Sequence, residues 1–342
     1  MNFPGTYFTQ VGGKIKTITQ GPTTERLLII GTAMDGPLND PVAITDGLQA
    51  ELTFGPSVYR DGYVDPLTST ESNKPAGATL PLAIQQALAA GCTNIIAVRG
   101  SGSFATNTTA FTSTLDMTAV NPGRIYNEVT FEIEVTSGVA TATIHQPTIK
   151  GGDAIIVMES GDTVADLIEA VNNEPRNTTI FINRQTFASV LNDLAADITP
   201  GTELLSGTTE GTNGCMVRGD DFGPDNVTGL NDYATALTAS NVGTFATLIG
   251  RKIPFNVAVL TGVMVDDQVS EASPTTTTIA VDFASFIDIC CNEVTPCHGV
   301  MGVKPHGLRD TQAIIDYCDD NLLSTDAGFY NETLRWIKAG YF

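Results

Sequence analysis

Short apolar runs closed by glycine alternate with stretches of helical period along much of the chain. Residues 26–30 end in the unbroken run Leu27-Leu28-Ile29-Ile30 before Gly31, which suits a strand buried on both faces. Residues 46–54 predict a short helix ending before Gly55-Pro56, and Pro66, Pro75 and Gly77 mark breaks in a polar loop. Leu80, Ala83, Ile84, Ala87 and Leu88 fall at i, i+3, i+4, i+7 and i+8, so residues 80–90 predict a helix stopped by Gly91. Residues 94–99 predict a second buried strand. Strand, helix and strand of these lengths make a β-α-β unit, hence a parallel pair with a right-handed crossover.

The pattern changes at Gly100. Residues 101–118 are rich in Ser, Thr and Asn, and a loop is expected to open at 106–109. Residues 128–135 then alternate apolar and acidic side chains with period two, and Ser137-Gly138 turns the chain into a second strand over 139–145. A third strand over 154–158 follows, then a helix over 164–172 capped by Asp162-Thr163, and a strand over 178–183. This self-contained hairpin-rich stretch predicts an α+β domain over residues 101–210, inserted into the first. After the Gly/Thr-rich connector 207–214 the α/β character returns: helix 229–239, strand 255–260, helix 281–291, strand 299–303 and helix 311–322. No solenoid or propeller repeat is present.

Residues 1–22 read as an extended β arm. Gly12-Gly13 loosens the chain, Lys14-Ile15-Lys16-Thr17-Ile18-Thr19 is a short β-prone run, and Gln20-Gly21-Pro22 separates it from the body. Such a strand carries too little apolar surface for a core of its own. It pairs either with its own domain or with a neighbour by β-augmentation. The predicted fold is therefore α/β: a mixed-sheet core domain in two parts (23–100 and 211–342), an inserted α+β domain (101–210) and an N-terminal arm (1–22).

Composition narrows the functional classes. Of 342 residues 42% are apolar, enough for a packed core and about two domains. No run of about 18 apolar residues exists, and Met1-Asn2-Phe3-Pro4-Gly5 lacks the basic and apolar regions of a secretory signal. Asp and Glu number 38 against 17 Lys and Arg, a net charge of −21, so nucleic acid and anionic membranes are poor partners. An assembly of such subunits is expected to depend on ionic strength.

Candidate chemistry is sparse. Gly100-Ser101-Gly102-Ser103-Phe104-Ala105 satisfies G-x-G-x-x-A after a strand, but the following Thr106-Asn107-Thr108-Thr109 are poor helix formers. The dinucleotide mechanism needs a helix N-terminus there, so the glycines read as a flexible entry to the inserted domain. Gly12-Gly13-Lys14 lacks the spacing of a P-loop, and no G-x-S-x-G elbow is present. Cys290, Cys291, Cys297 and His298 are the one cluster of metal-ligand types. Adjacent cysteines on a helix diverge by about 100°, so buried reduced thiols are expected there. Cys92, Cys215 and Cys318 complete the set, with disulfides between subunits the minority reading. His145 and His306 read as surface or loop histidines. The acid pairs Asp220-Asp221, Asp266-Asp267 and Asp319-Asp320 read as solvated faces. No catalytic residue, cofactor or metal is predicted.

The order of parts resembles contractile-tail sheath proteins of bacteriophages and related injection machines. Their chains open with a P-G-V-Y-like tetrapeptide, here Pro4-Gly5-Thr6-Tyr7, and a detachable arm. A buried strand then ends in G-x-A-x-x-G-P-x-N-x-P, here Gly31 to Pro41, followed by Ile44-Thr45. Ile95-Ile96-Ala97-Val98-Arg99 resembles the family's x-V-V-R strand, and Leu205-Ser206-Gly207-Thr208-Thr209-Glu210-Gly211 its L-x-G-G-x-D/E-G connector, with Thr208 in place of the second Gly. Residues 255–305 resemble its strand, helix and strand ending near proline.

The resemblance implies a structural subunit that stacks as six-fold rings around a tail tube and contracts to drive the tube through a host envelope. It implies self-association and contact with tail tube, baseplate and tail terminator proteins. It places the chain in the virion tail after synthesis in the bacterial cytoplasm. Gly5 and Tyr7 would anchor the arm, and Ile15, Thr17 and Ile18 would make its contacts. The sequence stops at Tyr341-Phe342 where sheath chains commonly continue, which predicts a C-terminal domain that is shortened, split off or carried beyond this sequence. The alternatives are an α/β nucleotide-binding enzyme using a crevice near Gly31 or Gly100, and a non-contractile virion or surface-layer subunit.

Overall fold

The computed structural model describes residues 8–11, 14–17, 26–56, 79–113, 115–147, 150–183, 194, 198–211, 248, 250–264, 279–302 and 337–340. Strands β1 (Phe8–Val11) and β2 (Lys14–Thr17) form an antiparallel hairpin. The body opens with β3 (Leu27–Gly31), β4 (Val42–Ile44), helix α1 (Gly47–Phe54), helix α2 (Thr79–Ala89) and β5 (Ile95–Arg99). Asp46 caps α1 by accepting from the Gln49 amide, and Gln49 returns its side-chain oxygen to the Thr45 amide. Gly55 ends the helix at φ +81°, donating its amide to the Glu51 carbonyl.

Residues 106–204 supply β6 (Thr106–Thr109), α3 (Ala110–Ser113), β7 (Leu115–Ala119), a 3₁₀ turn (Arg124–Glu128), β8 (Thr130–Thr136), β9 (Val139–His145), β10 (Ala154–Val157), α4 (Val164–Asn173), β11 (Ile180–Asn183) and β12 (Gly201–Leu204). The last described elements are β13 (Val257–Met264), α5 (Ile279–Glu293), β14 (His298–Gly302) and β15 (Ile337–Gly340).

A six-stranded sheet of order β15-β14-β13-β3-β5-β4 gathers strands from both ends of the body, all parallel except β4. The continuous apolar sequences of β3 and β5 follow from helices on both faces. Ile29, Ile95 and Ala97 face α2 through Leu80 and Ile84. The alternate residues face the side of α5, where a Cβ on Gly299 would lie 2.7 Å from the Phe283 ring. Phe255, Phe286 and Phe283 stack in series with centroids 6.2 and 6.3 Å apart, and all three are fully buried. Each such side chain contributes about 1.5–3 kcal/mol.

Residues 106–204 build two further sheets, β10-β9-β8-β12 and β11-β7-β6, around a common core. The alternation read in residues 128–135 sets this core. Phe131 and Ile133 point inward, and Glu132 and Glu134 lie on the other face. Helix α4 covers the core with Leu167, Ile168 and Val171, its start fixed by the reciprocal Thr163–Asp166 capping box.

The structure corrects the loop expected at 106–109. Residues 106–119 form β6, α3 and β7, with Leu115, Met117 and Ala119 alternating inward and residues 116–119 paired against β11. Strands β4, β12 and β15 also lie beyond the expected set. The helices expected at 229–239 and 311–322 fall outside the described residues.

Candidate functional site

In an open parallel sheet, ligands bind beyond the carboxyl ends of the strands, at the point where the connections change direction. Here that point lies between β3 and its neighbours β5 and β13. It is filled by three threonines. Thr79 Oγ1 lies 2.8 Å from Thr261 Oγ1 and 3.1 Å from Thr32 Oγ1, and the Thr261 hydroxyl donates to the Ile30 carbonyl. All three are buried.

Gly31 keeps the crevice closed, since a Cβ there would stand 2.2 Å from Thr261 Oγ1. The first two amides of α2 are already engaged. The Thr79 amide donates to Thr32 Oγ1, the Leu80 amide donates to the Thr32 carbonyl, and Pro81 has none. A cleft of about 370 Å³ beside Arg26, Gly91, Cys92 and Asn94 lies at the opposite, amino-terminal end of the sheet.

The G-x-G-x-x-A segment is equally committed. The Gly100 amide donates to the Gly31 carbonyl, and the segment runs into β6 rather than a helix. Arg99, fully buried, donates Nε to the Ser101 carbonyl and Nη1 to the Pro122 carbonyl. The arginine of the family-like strand motif thus ties the six-stranded sheet to the 101–210 region.

A polar knot joins the same two parts beside it. Asp35, 4% exposed, accepts from the Tyr126 hydroxyl and from Asn121 Nδ2, and pairs with the Lys150 ammonium. Lys150 also sits 5.3 Å from the centre of the Tyr126 ring. Burial chiefly, with the Asp35 charge adding, drives the Tyr126 hydroxyl far above its usual range, so it stays a donor. Backbones meet closely around the knot. A Cβ on Gly123 would stand 2.1 Å from the Met34 carbonyl, and one on Gly211 would stand 2.4 Å from the Gly123 carbonyl. Asn127 clamps Gly211 from both sides, donating to its carbonyl and accepting from its amide.

His145, read from the sequence as a surface or loop histidine, is partly exposed and stands between two carboxylates. Its Nε2 lies 3.0 Å from Glu132 and its Nδ1 3.1 Å from Asp153. The two carboxylates lie within one hairpin pair and its adjoining turn, a juxtaposition visible only once the register is known. Glu132 chiefly raises the His145 pKa above its ordinary 6.5, against the opposing desolvation and with Asp153 adding to the rise. A raised folded value means stability fully present below the unfolded pKa and lost as pH rises through the folded one. The denaturation midpoint is therefore expected to fall as pH rises from below to above the histidine range, and His145→Gln to flatten that profile in parallel urea titrations.

Of the thiols, Cys290 is buried and pushed up to about 12 by desolvation, with Cys291 adding. Cys291 turns away from Cys290, as expected for neighbours on a helix, and meets Cys297. Among the described residues no three His, Cys, Asp or Glu side chains converge as a metal site, and no helix is long and apolar enough to cross a membrane. Cys215, Cys318, His306 and the three acid pairs lie outside the described residues.

Of the arm positions, Ile15 and Thr17 stand on β2 opposite Gln10 and Phe8. Gly5, Tyr7 and Ile18 lie outside the described residues. Exposed apolar side chains sit at Leu48 and Leu52, one turn apart on α1, and at Ile155 and Val157 on the edge strand β10.

No protein-family model matches the chain, and no curated protein matches it. Among solved structures the chain is similar to the sheath tail protein Lin1278 from Listeria innocua, with 14% identity and a TM-score of 0.43 over 85% of this chain. It is also similar to the sheath tail protein DSY3957 from Desulfitobacterium hafniense, with 14% identity and a TM-score of 0.39 over 85% of this chain. The chain spans 50% of the first structure's length and 53% of the second's. Both are described as sheath tail proteins, the family that the order of motifs in this sequence resembles.

Proposed function

We propose that the chain is a structural subunit of a contractile tail sheath, assembling as six-fold rings stacked around a tail tube. Its domains would be the arm (1–22), the α/β core (23–100 and 211–342) and an insertion (101–210). The observation that carries this reading is the β1–β2 hairpin, which forms a sheet of its own and pairs with no other strand among the described residues. A two-stranded hairpin is marginal alone and gains stability by adding to another edge. The order of sheath-like motifs around it makes a second copy the partner. Gly5, Tyr7, Ile15, Thr17 and Ile18 are the proposed assembly residues. Main-chain hydrogen bonds between exchanged strands tolerate rotation of the bodies they link. Contraction would then release a metastable extended lattice into one that buries more surface between subunits.

The family-like motif also supports a structural role, because packing accounts for its residues. Gly31 clears Thr261, Ala33 is fully buried, Gly36 turns at φ +94° against Phe54, and Asn39 turns at φ +58° while donating its amide to the Arg99 carbonyl. The rival nucleotide-binding reading requires an open crevice where the threonines stand. The proposed partners are other copies, the tube, the baseplate and the terminator, and the proposed location is the virion tail. Negative-stain imaging of the concentrated full chain tests this: tubes or rings that respond to ionic strength are expected. Monodisperse particles at every salt concentration, with a thermal shift on adding nucleotide, would overturn it.

A further inference from the structure

We propose that Cys291 and Cys297 are a built oxidation site, forming an intrachain disulfide that staples the C-terminal turn of α5 to the start of β14. The two sulfurs stand 3.4 Å apart, in van der Waals contact. Backbone geometry holds them there. The Val294 and Thr295 amides both donate to the Cys290 carbonyl, turning the chain back on the helix end. The Cys297 amide then donates to Cys291 Sγ at 3.2 Å, and the Cys291 thiol donates to the Cys297 carbonyl at 3.0 Å. Closing to a bonded distance of about 2.05 Å asks only for a small local adjustment. Both thiols are half-buried, so a small oxidant reaches them, whereas Cys290 is fully buried and faces the core.

The oxidant class is a peroxide. Two S–H bonds and one O–O bond break, one S–S bond forms, and the two electrons leave with the oxygens as two waters. Burial chiefly, with the hydrogen bond and charge of Cys291 adding, holds the Cys297 proton on well above the ordinary thiol range. Thiolate is the reactive form, so the reaction is slow at neutral pH and faster as pH rises. A staple here fixes a helix end against a strand of the six-stranded sheet without linking one copy to another.

The test treats the reductant-free full chain with hydrogen peroxide at two pH values, alkylates the remaining thiols, and maps peptides without reduction. The expected product is a monomer in which Cys291 and Cys297 are linked and escape alkylation, formed faster at the higher pH. Cys290→Ser is expected to retain the link and Cys291→Ser to lose it, each checked for an unchanged melting transition before oxidation. Full alkylation of both thiols after peroxide overturns the proposal. So does a covalent dimer on a non-reducing gel that disappears in Cys297→Ser.

Discussion

Asp35→Ala is expected to lower the unfolding free energy by about 3 kcal/mol, read as a large shift of the urea midpoint. The carboxylate removed is almost fully buried, and three donors lose their acceptor together: Tyr126, Asn121 and Lys150. The Lys150 ammonium, with its side chain 13% exposed, is left without the carboxylate that pairs with it. The double variant Asp35→Ala with Lys150→Met is expected to recover part of the loss, since an uncompensated buried charge costs more than an apolar replacement. A single variant as stable as the parent would show that the knot contributes nothing. Additive losses in the double variant would show that the two residues are uncoupled.

Removing residues 1–20 is expected to abolish sedimentable polymer while leaving the denaturation midpoint of the protomer unchanged. The reason is the separation already described: the hairpin forms its own sheet, and among the described strands none of the six-stranded sheet hydrogen-bonds to it. On the proposed function its stabilising partner is another copy, so its loss would cost assembly rather than folding. Sedimentation and urea titration of the truncated chain read the two effects separately. Normal polymers from the truncated chain would sink the exchange reading. An earlier unfolding midpoint would show instead that the arm completes its own protomer.

The centre of the six-stranded sheet was legible because β3 and β5 are buried on both faces and announce themselves as apolar runs closed by glycine. Residues 94–99 lost one residue to become β5, and 80–90 shifted by one to become α2. Strand β9 was found residue for residue, because Ser137-Gly138 and strict alternation leave one register. The stretch 106–109 misled because Thr and Asn are read as loop formers, whereas Thr is equally at home in a half-buried strand. The short strands β4 and β15 carry no periodicity that three or four residues could display.

The knot was invisible for a different reason. Asp35 precedes Gly36 and reads as a turn residue, and its partners stand 86 to 115 positions away. Arg99 belongs to the family-like strand motif, and a charge closing an apolar strand is the available signal that something buried must pair with it.

The backbone contact between Gly123 and the Met34 carbonyl, with Asp35 beside it, has a practical bearing on dissecting the chain. Excising residues 101–210 carries off Tyr126, Asn121 and Lys150 together and strands a carboxylate at the cut surface. It also uncovers the Arg99 guanidinium, whose Pro122 acceptor leaves with the fragment. A minimal core therefore calls for neutral residues at positions 35 and 99. A transplanted replacement domain needs, at its docking point, a residue without a side chain and a donor reaching Asp35.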